Sequence, residues 1–214
     1  MTGGLTIDFN TATSSLYVKN MGAGHAIAAS GTVTIGSNTG TDGYDVSFYG
    51  TYGAFTGSRM FWDASKSALR SGRDGDGTYW SDANIGSYSF ATGYNSKASG
   101  NHSNSIGPWT TASGEASVAL GDALTSGGNT SVAIGSFSSA SGDYTLAAGR
   151  WVTAGPIANT MAIGKGVDDS NRMTNNTADS LGIGFNSTVP TFFVGPASGI
   201  GTYGKVGVDD DAGV

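Results

Sequence analysis

SYSFATGYNSKASG (87–100), NHSNSIGPWTTASG (101–114), EASVALGDALTSGG (115–128), NTSVAIGSFSSASG (129–142) and DYTLAAGRWVTAGP (143–156) follow one another without a gap. Glycine stands at every seventh position through them: Gly86, Gly93, Gly100, Gly107, Gly114, Gly121, Gly128, Gly135, Gly142 and Gly149. Two unlike seven-residue halves alternate between these glycines, so the repeat is fourteen residues long. That is too short for a helix pair, an ankyrin unit or a propeller blade, which need about 30 residues or more. It suffices for two short strands and two tight turns, one coil of a β-solenoid, with glycine supplying the backbone freedom of the turns. Coils stack at the inter-strand spacing of about 4.8 Å, and stacking satisfies the backbone donors and acceptors between them.

Positions fourteen apart must then lie above one another. Ser89, Ser103, Ser117, Ser131 and Thr145 make a hydroxyl column, and Ala119, Ala133 and Ala147 a small column of the same parity. The other parity carries Val118, Val132 and Leu146 beside Ile106, Leu120 and Ile134. In the second half Ala98, Ala112, Ala140 and Ala154 align, interrupted by Ser126. Such period-two alternation is a strand pattern. A roll lined by Ser and Ala buries too little apolar surface to offset its chain entropy alone. The remaining apolar columns are therefore expected to pack against other copies, and a homotrimer about an axis parallel to the rod closes them symmetrically.

The halves NTSVAIG (129–135) and SFSSASG (136–142) resemble the YadA-like head repeats of trimeric autotransporter adhesins. The resemblance covers 87–156, and it implies a left-handed parallel β-roll that is trimeric. A second stretch, YDVSFYGTYGAFTGSRMFWDASKSALR (44–70), resembles a segment of bacteriophage structural proteins that precedes fibre modules, which implies a virion setting. The fold expected is all-β: an N-terminal β-rich anchor or adaptor over 1–80, a β-roll of fourteen-residue coils over 81–164, and an insertion with a C-terminal β cap over 165–214.

Outside the roll, LTIDF (5–9), SSLYVKN (14–20) and HAIAASGTVTIG (25–36) read as strands between Gly, Asn and Ser turns. YDVSFYG (44–50) and SRMFWDAS (58–65) read as strands joined by TYGAFTG (51–57). Beyond Pro156, IANTMAIG (157–164) is one more strand half offset by a residue, KGVDDSNRMTNN (165–176) an insertion, and TADSLGIG (177–184) a return to the pattern. FNSTVPTFFVG (185–195) and GTYGKVGV (201–208) read as closing strands that cover the open end.

Composition removes several classes of function. Charged residues are 12%, the net charge is −6, and no basic run occurs, which disfavours nucleic acid and anionic membranes. Cysteine is absent, so no thiolate site or disulfide is available. No apolar run is long enough for a spanning helix, so no membrane insertion is expected. The opening MTGGLTIDFN lacks a basic and an apolar leader region, and the expectation is a chain made and folded in a cytoplasm.

Candidate chemistry is sparse. Asp74 and Asp76 in GRDGDGT (72–78) open like a calcium loop, but the third ligand, the sixth-position glycine and the distal Glu are missing. A solvated turn is expected there, with calcium as the rival reading. Asp168, Asp169 and the tail carboxylates Asp209, Asp210 and Asp211 could serve glycosidic hydrolysis, yet nothing flanks them to form a cleft. His25 or His102 could meet its copies on a trimer axis and hold an ion; GAGH (22–25) lacks the rest of a phosphate loop. Trp109, Phe137 and Trp151 share one coil position with Asn95 and Ala123, and stacked aromatics there could bind sugar rings. The plainer alternative packs them into a trimer interface or under the insertion.

The function expected is that of a non-enzymatic, cofactor-free fibre or spike on a phage particle, used for attachment or decoration. Its partners would be two further copies, other virion proteins through 1–80, and a host-surface glycan or protein receptor. The first alternative is an adhesin head on a bacterial surface, and the second a polysaccharide-degrading tailspike.

Overall fold

The chain divides into two compact units, 1–39 and 40–214. The computed structural model describes residues 47–49, 57–63, 65–196 and 206–208, all in the second unit; the strands expected over 5–36 lie outside them. The second unit opens with an antiparallel meander of β1 (Ser47–Tyr49), β2 (Gly57–Asp63) and β3 (Ala68–Asp74). A 3-10 turn, Asp82–Asn84, then leads into the repeats.

Each repeat contributes one longer strand and one shorter strand. The longer ones are β4 (Phe90–Tyr94), β6 (Asn104–Ile106), β8 (Val118–Asp122), β10 (Val132–Ser136), β12 (Leu146–Arg150), β14 (Thr160–Lys165) and β16 (Ser180–Phe185). The shorter are β5 (Lys97–Ala98), β7 (Thr111–Ala112), β9 (Thr125–Ser126), β11 (Ser139–Ala140), β13 (Val152–Ala154) and β15 (Met173–Asn175). The longer strands stack in parallel with β3 at their head, and the shorter strands form a second parallel sheet. Finally β17 (Phe192–Val194) and β18 (Val206–Val208) add antiparallel to β16. The described residues of the second unit thus form an all-β parallel roll whose long sheet is antiparallel at both ends.

Register follows the sequence period. Val118 pairs with Val132 and Val132 with Leu146, a step of fourteen; Leu146 pairs with Met161 and Met161 with Leu181, as the slipped spacing after Pro156 requires. Parallel pairing reaches beyond 81–164 on both sides, from Leu69 opposite Phe90 to Lys165 opposite Phe185. The segment read as an insertion contains β15, so it is a coil with an enlarged turn, Val167–Arg172, before the short strand.

The interior is small. Ala91, Ala119, Ala133, Ala147 and Ala162 are fully buried from the long sheet, and Ala98, Ala112, Ala140 and Ala154 from the short one. Between them runs a column missed in the sequence: Ser96, Thr110, Leu124, Ser138, Val152 and Met173, all buried. Within each coil the hydroxyl column turns inward. Ser103 and Ser131 Oγ each donate to the carbonyl of the glycine three residues back at 2.6 Å, and Thr145 does so at 2.7 Å. These buried hydroxyls are thereby satisfied by the turns they sit in, whereas the Ser117 Oγ of the same column has no hydrogen-bond partner among the described residues.

The glycine ladder refines the sequence expectation, in which every rung supplies a turn with backbone freedom, positive φ included. Only the alternate set takes positive φ, as at Gly121 (φ 143) at the end of β8; Gly86, Gly100, Gly114, Gly128 and Gly142 do not. Those five are glycine for another reason: a Cβ on Gly128 would run into the Gly142 carbonyl of the next coil. The corner residues of left-handed φ are mostly not glycine. One corner has Asn95, Trp109, Ala123, Phe137 and Trp151; the opposite corner has Tyr88, His102, Ala116, Thr130 and Tyr144.

Candidate functional site

Two surfaces of the roll stand out, and the first is the outer face of the long sheet. Residues of the outward parity run across paired strands as two columns. One contains Trp62, Leu69, Phe90, Asn104, Val118, Val132, Leu146, Met161 and Leu181. The other contains Met60, Ser71, Thr92, Ile106, Leu120, Ile134, Ala148, Ile163 and Ile183. Leu120, Ile134 and Met161 are exposed by 43, 41 and 47%. A contiguous apolar face of this length marks an interaction surface. Asn104, Ser71 and Thr92 form its polar notch.

The second surface is the corner at the end of the long strands. Backbone N–H groups of Trp109, Ala123, Phe137 and Trp151 donate to the carbonyls of Tyr94, Pro108, Asp122 and Ser136 in the preceding coil, so the corner climbs one coil at a time. Trp109 is 54% exposed and meets Tyr94 edge to face, with ring centres 5.1 Å apart. Phe137 is exposed and Trp151 half-buried. The Arg150 guanidinium lies over the Trp151 ring at 3.8 Å, and the Lys165 ammonium stands 5.8 Å from the same ring. Arg73 lies 5.8 Å from the Tyr94 ring. The three aromatics singled out in the sequence are therefore brought into one ridge, and the cations flanking them are what the sequence reading missed. Their signal was present: Arg73, Tyr94, Asp122, Arg150 and Lys165 share one register position immediately before the corner.

The carboxylates are occupied by their own turns. Asp74, expected on a solvated turn, is instead fully buried. It accepts from the backbone N–H of Gly77 at 2.8 Å and of Trp80 at 3.0 Å, and it faces the Arg59 guanidinium at 3.8 Å. Asp76 accepts from the Thr78 N–H and hydroxyl, which hold its carboxyl below the usual range. Asp168 accepts from Asn171 and Ser170, and the Asn171 bonds lower its pKa likewise. Asp169 pairs with Arg172. No group of three His, Asp or Glu side chains among the described residues is arranged to hold a metal. His102 is exposed and stacks on Tyr88 with ring centres 5.0 Å apart. His25 and Asp209, Asp210 and Asp211 lie outside the described residues.

The end of the roll nearest β3 is closed by unlike residues. Arg70, inward in β3, is fully buried; its guanidinium donates to the carbonyls of Leu69, Ser89 and Ala98 and to the Ser89 hydroxyl. Burial pushes its pKa down to about 10. Trp80 donates its indole N–H to the Ser96 carbonyl at 2.8 Å, and Arg59 lies 5.2 Å from the Trp80 ring.

Neither a curated protein nor a solved structure matches the chain. The family described as YadA head domain repeat (2 copies) matches residues 85–103, 105–123 and 126–150, so the parallel roll seen here carries adhesin-type head repeats over its regular coils.

Proposed function

We propose that this chain is a non-enzymatic, homotrimeric fibre or spike module of a bacteriophage particle, serving host-surface attachment or particle decoration. The observation that carries the reading is the apolar outer face of the long sheet, exposed along the roll in a single chain. Three copies packed on that face about a common axis would bury it, and would present three identical outer corners to a receptor. Weak contacts at each corner then add through effective concentration. The resemblance of 44–70 to phage structural segments supports the virion setting, with 1–80 joining other virion proteins. Engagement of Asp74, Asp76, Asp168 and Asp169 by their own turns supports a role without catalysis.

A second reading, the head of an adhesin on a bacterial surface, is favoured by the YadA head repeats at 85–150. Light scattering tests the assembly: the wild type should have the mass of three chains, and Leu120→Asp with Ile134→Asp should fall to one. A wild type with the mass of one chain would refute the trimer. Immunogold electron microscopy of the producing culture separates the two settings. Label on capsids or tails supports the virion reading, and label on the cell envelope transfers the case to the adhesin.

A further inference from the structure

The corner at Trp109 is built against the local preference of the backbone. Trp109, Phe137 and Trp151 hold φ of 50, 51 and 55°. The left-handed region is unfavourable for an ordinary L-residue, and Asn relieves part of that through its own side-chain hydrogen bonds. The same corner is formed by Asn95 and Ala123 at φ 53 and 51°. The roll therefore accepts small residues here, and large exposed rings are not something its packing demands.

Charge then separates this corner from the opposite one. Arg73, Arg150 and Lys165 are exposed beside the rings, in a chain of net charge −6. The ion pairs among the described residues are Arg59–Asp74, Lys66–Asp82 and Arg172–Asp169, so Arg150 and Lys165 face solvent without a carboxylate partner there. One carboxylate, the half-buried Asp122, interrupts the basic column. The opposite corner also carries exposed rings, Tyr88 and Tyr144, but its neighbours in the turn include Glu115, Asp143 and Asp179.

We propose that the ridge of Tyr94, Trp109, Phe137, Arg150, Trp151 and Lys165 binds an anionic polysaccharide, a chain of pyranose rings bearing carboxylates. The proposal rests on the attachment reading above and names its ligand class. The apolar C–H face of a pyranose stacks on an exposed aromatic ring. Trp109 and Phe137 are two coils apart and Phe137 and Trp151 one, so the rings repeat in steps of about 4.8 Å, close to the length of one sugar unit. The Arg150 guanidinium lies over the Trp151 ring, and an exposed guanidinium can take a carboxylate in bidentate fashion. Lys165 adds a point charge one coil further on. Stacking gives affinity to the chain, and the cations select its charge.

The test uses the full chain and isothermal titration with polygalacturonate oligosaccharides, with neutral dextran oligosaccharides as the comparison. The polyuronate should bind, weaken with added salt, and exceed dextran by about tenfold or more. Trp109→Ala and Arg150→Gln should each weaken it by about tenfold or more, while Tyr144→Ala on the opposite corner leaves it unchanged. Trp109→Ala reproduces the residue already standing at Ala123, so the coil keeps its fold. Equal affinity for dextran, no loss in either ridge variant, or no polyuronate binding by a trimeric sample would overturn the proposal. So would a fall in particle mass with Trp109→Ala, which would make the ridge a contact between copies. A wild type of single-chain mass would instead count against the trimeric fibre, whatever the ridge binds.

Discussion

The middle of the roll and its β3 end solve the same packing problem with opposite chemistry. In the middle, inward positions are mostly Ala and Ser with Leu124 and Val152 among them, each coil repeats its neighbour, and buried hydroxyls such as those of Ser103 and Ser131 are satisfied within the coil. At the β3 end the same inward column finishes in Arg70, and the turn beneath it closes over Asp74, Trp80 and Arg59. A middle coil is covered by an identical coil on either side, so small side chains suffice. The end coil has a stack on one side only, and long polar side chains reach back to occupy backbone carbonyls such as those of Ser89 and Ala98. The difference teaches that regularity stabilises the interior of a repeat array, whereas its ends need individual solutions.

The largest expected effect separates two neighbouring glycines in the middle. Gly128→Ala drives a Cβ into the backbone of Gly142 and Asp143, and should cost more than about 5 kcal/mol or prevent the coil from closing. Gly127→Ala meets nothing closer than 3.9 Å and has no positive φ, so it should be neutral or stabilise by about 0.5 kcal/mol. Thermal melts followed by far-ultraviolet circular dichroism compare the two; equal melting temperatures would show that coil contact is not what the ladder protects.

At the end coil, Asp74→Ala removes the acceptor for two backbone N–H groups and an anionic partner of buried Arg59, at a cost of about 3 kcal/mol. Hydrogen exchange should show protection lost over 68–98 while 115–165 keeps its own. Uniform loss along the whole roll would mean that end and middle are a single cooperative unit. The smallest effect belongs to Ser126→Ala. Its hydroxyl meets Ser131 Oγ at 2.7 Å, yet Ala112 and Ala140 fill the same place in adjacent coils and Ser131 keeps the Gly128 carbonyl. The change should be under about 1 kcal/mol in denaturant melts, and a larger one would reveal a polar requirement specific to that coil.

Legibility in the sequence followed the same division. Where the chain repeats, columns fourteen apart named the strands, the alanine and hydroxyl columns and the outward apolar face, because register is a direct consequence of period; the buried column of Ser96, Thr110, Leu124, Ser138 and Val152 went unread. The β3 end was opaque for the converse reason. Nothing recurs at Arg70 or Asp74, so no column announced that they point inward, and GRDGDGT looked like an ordinary solvated turn. The ridge was half legible: Trp109, Phe137 and Trp151 align by counting and Arg150 directly precedes Trp151, but Lys165 takes the same register only through the slip after Pro156. The left-handed φ at those rings was hidden by the expectation that glycine would take it.

The Gly128–Gly142 type of contact has a consequence for how such a chain can change over generations. Because neighbouring coils meet through the same backbone atoms at each rung, gaining or losing one whole fourteen-residue unit creates no new kind of junction. Recombination between similar repeat segments would lengthen or shorten the rod in steps of about 4.8 Å, leaving both closures intact. Reach could then be tuned by selection separately from foldability, with the β3 closure inherited unaltered each time.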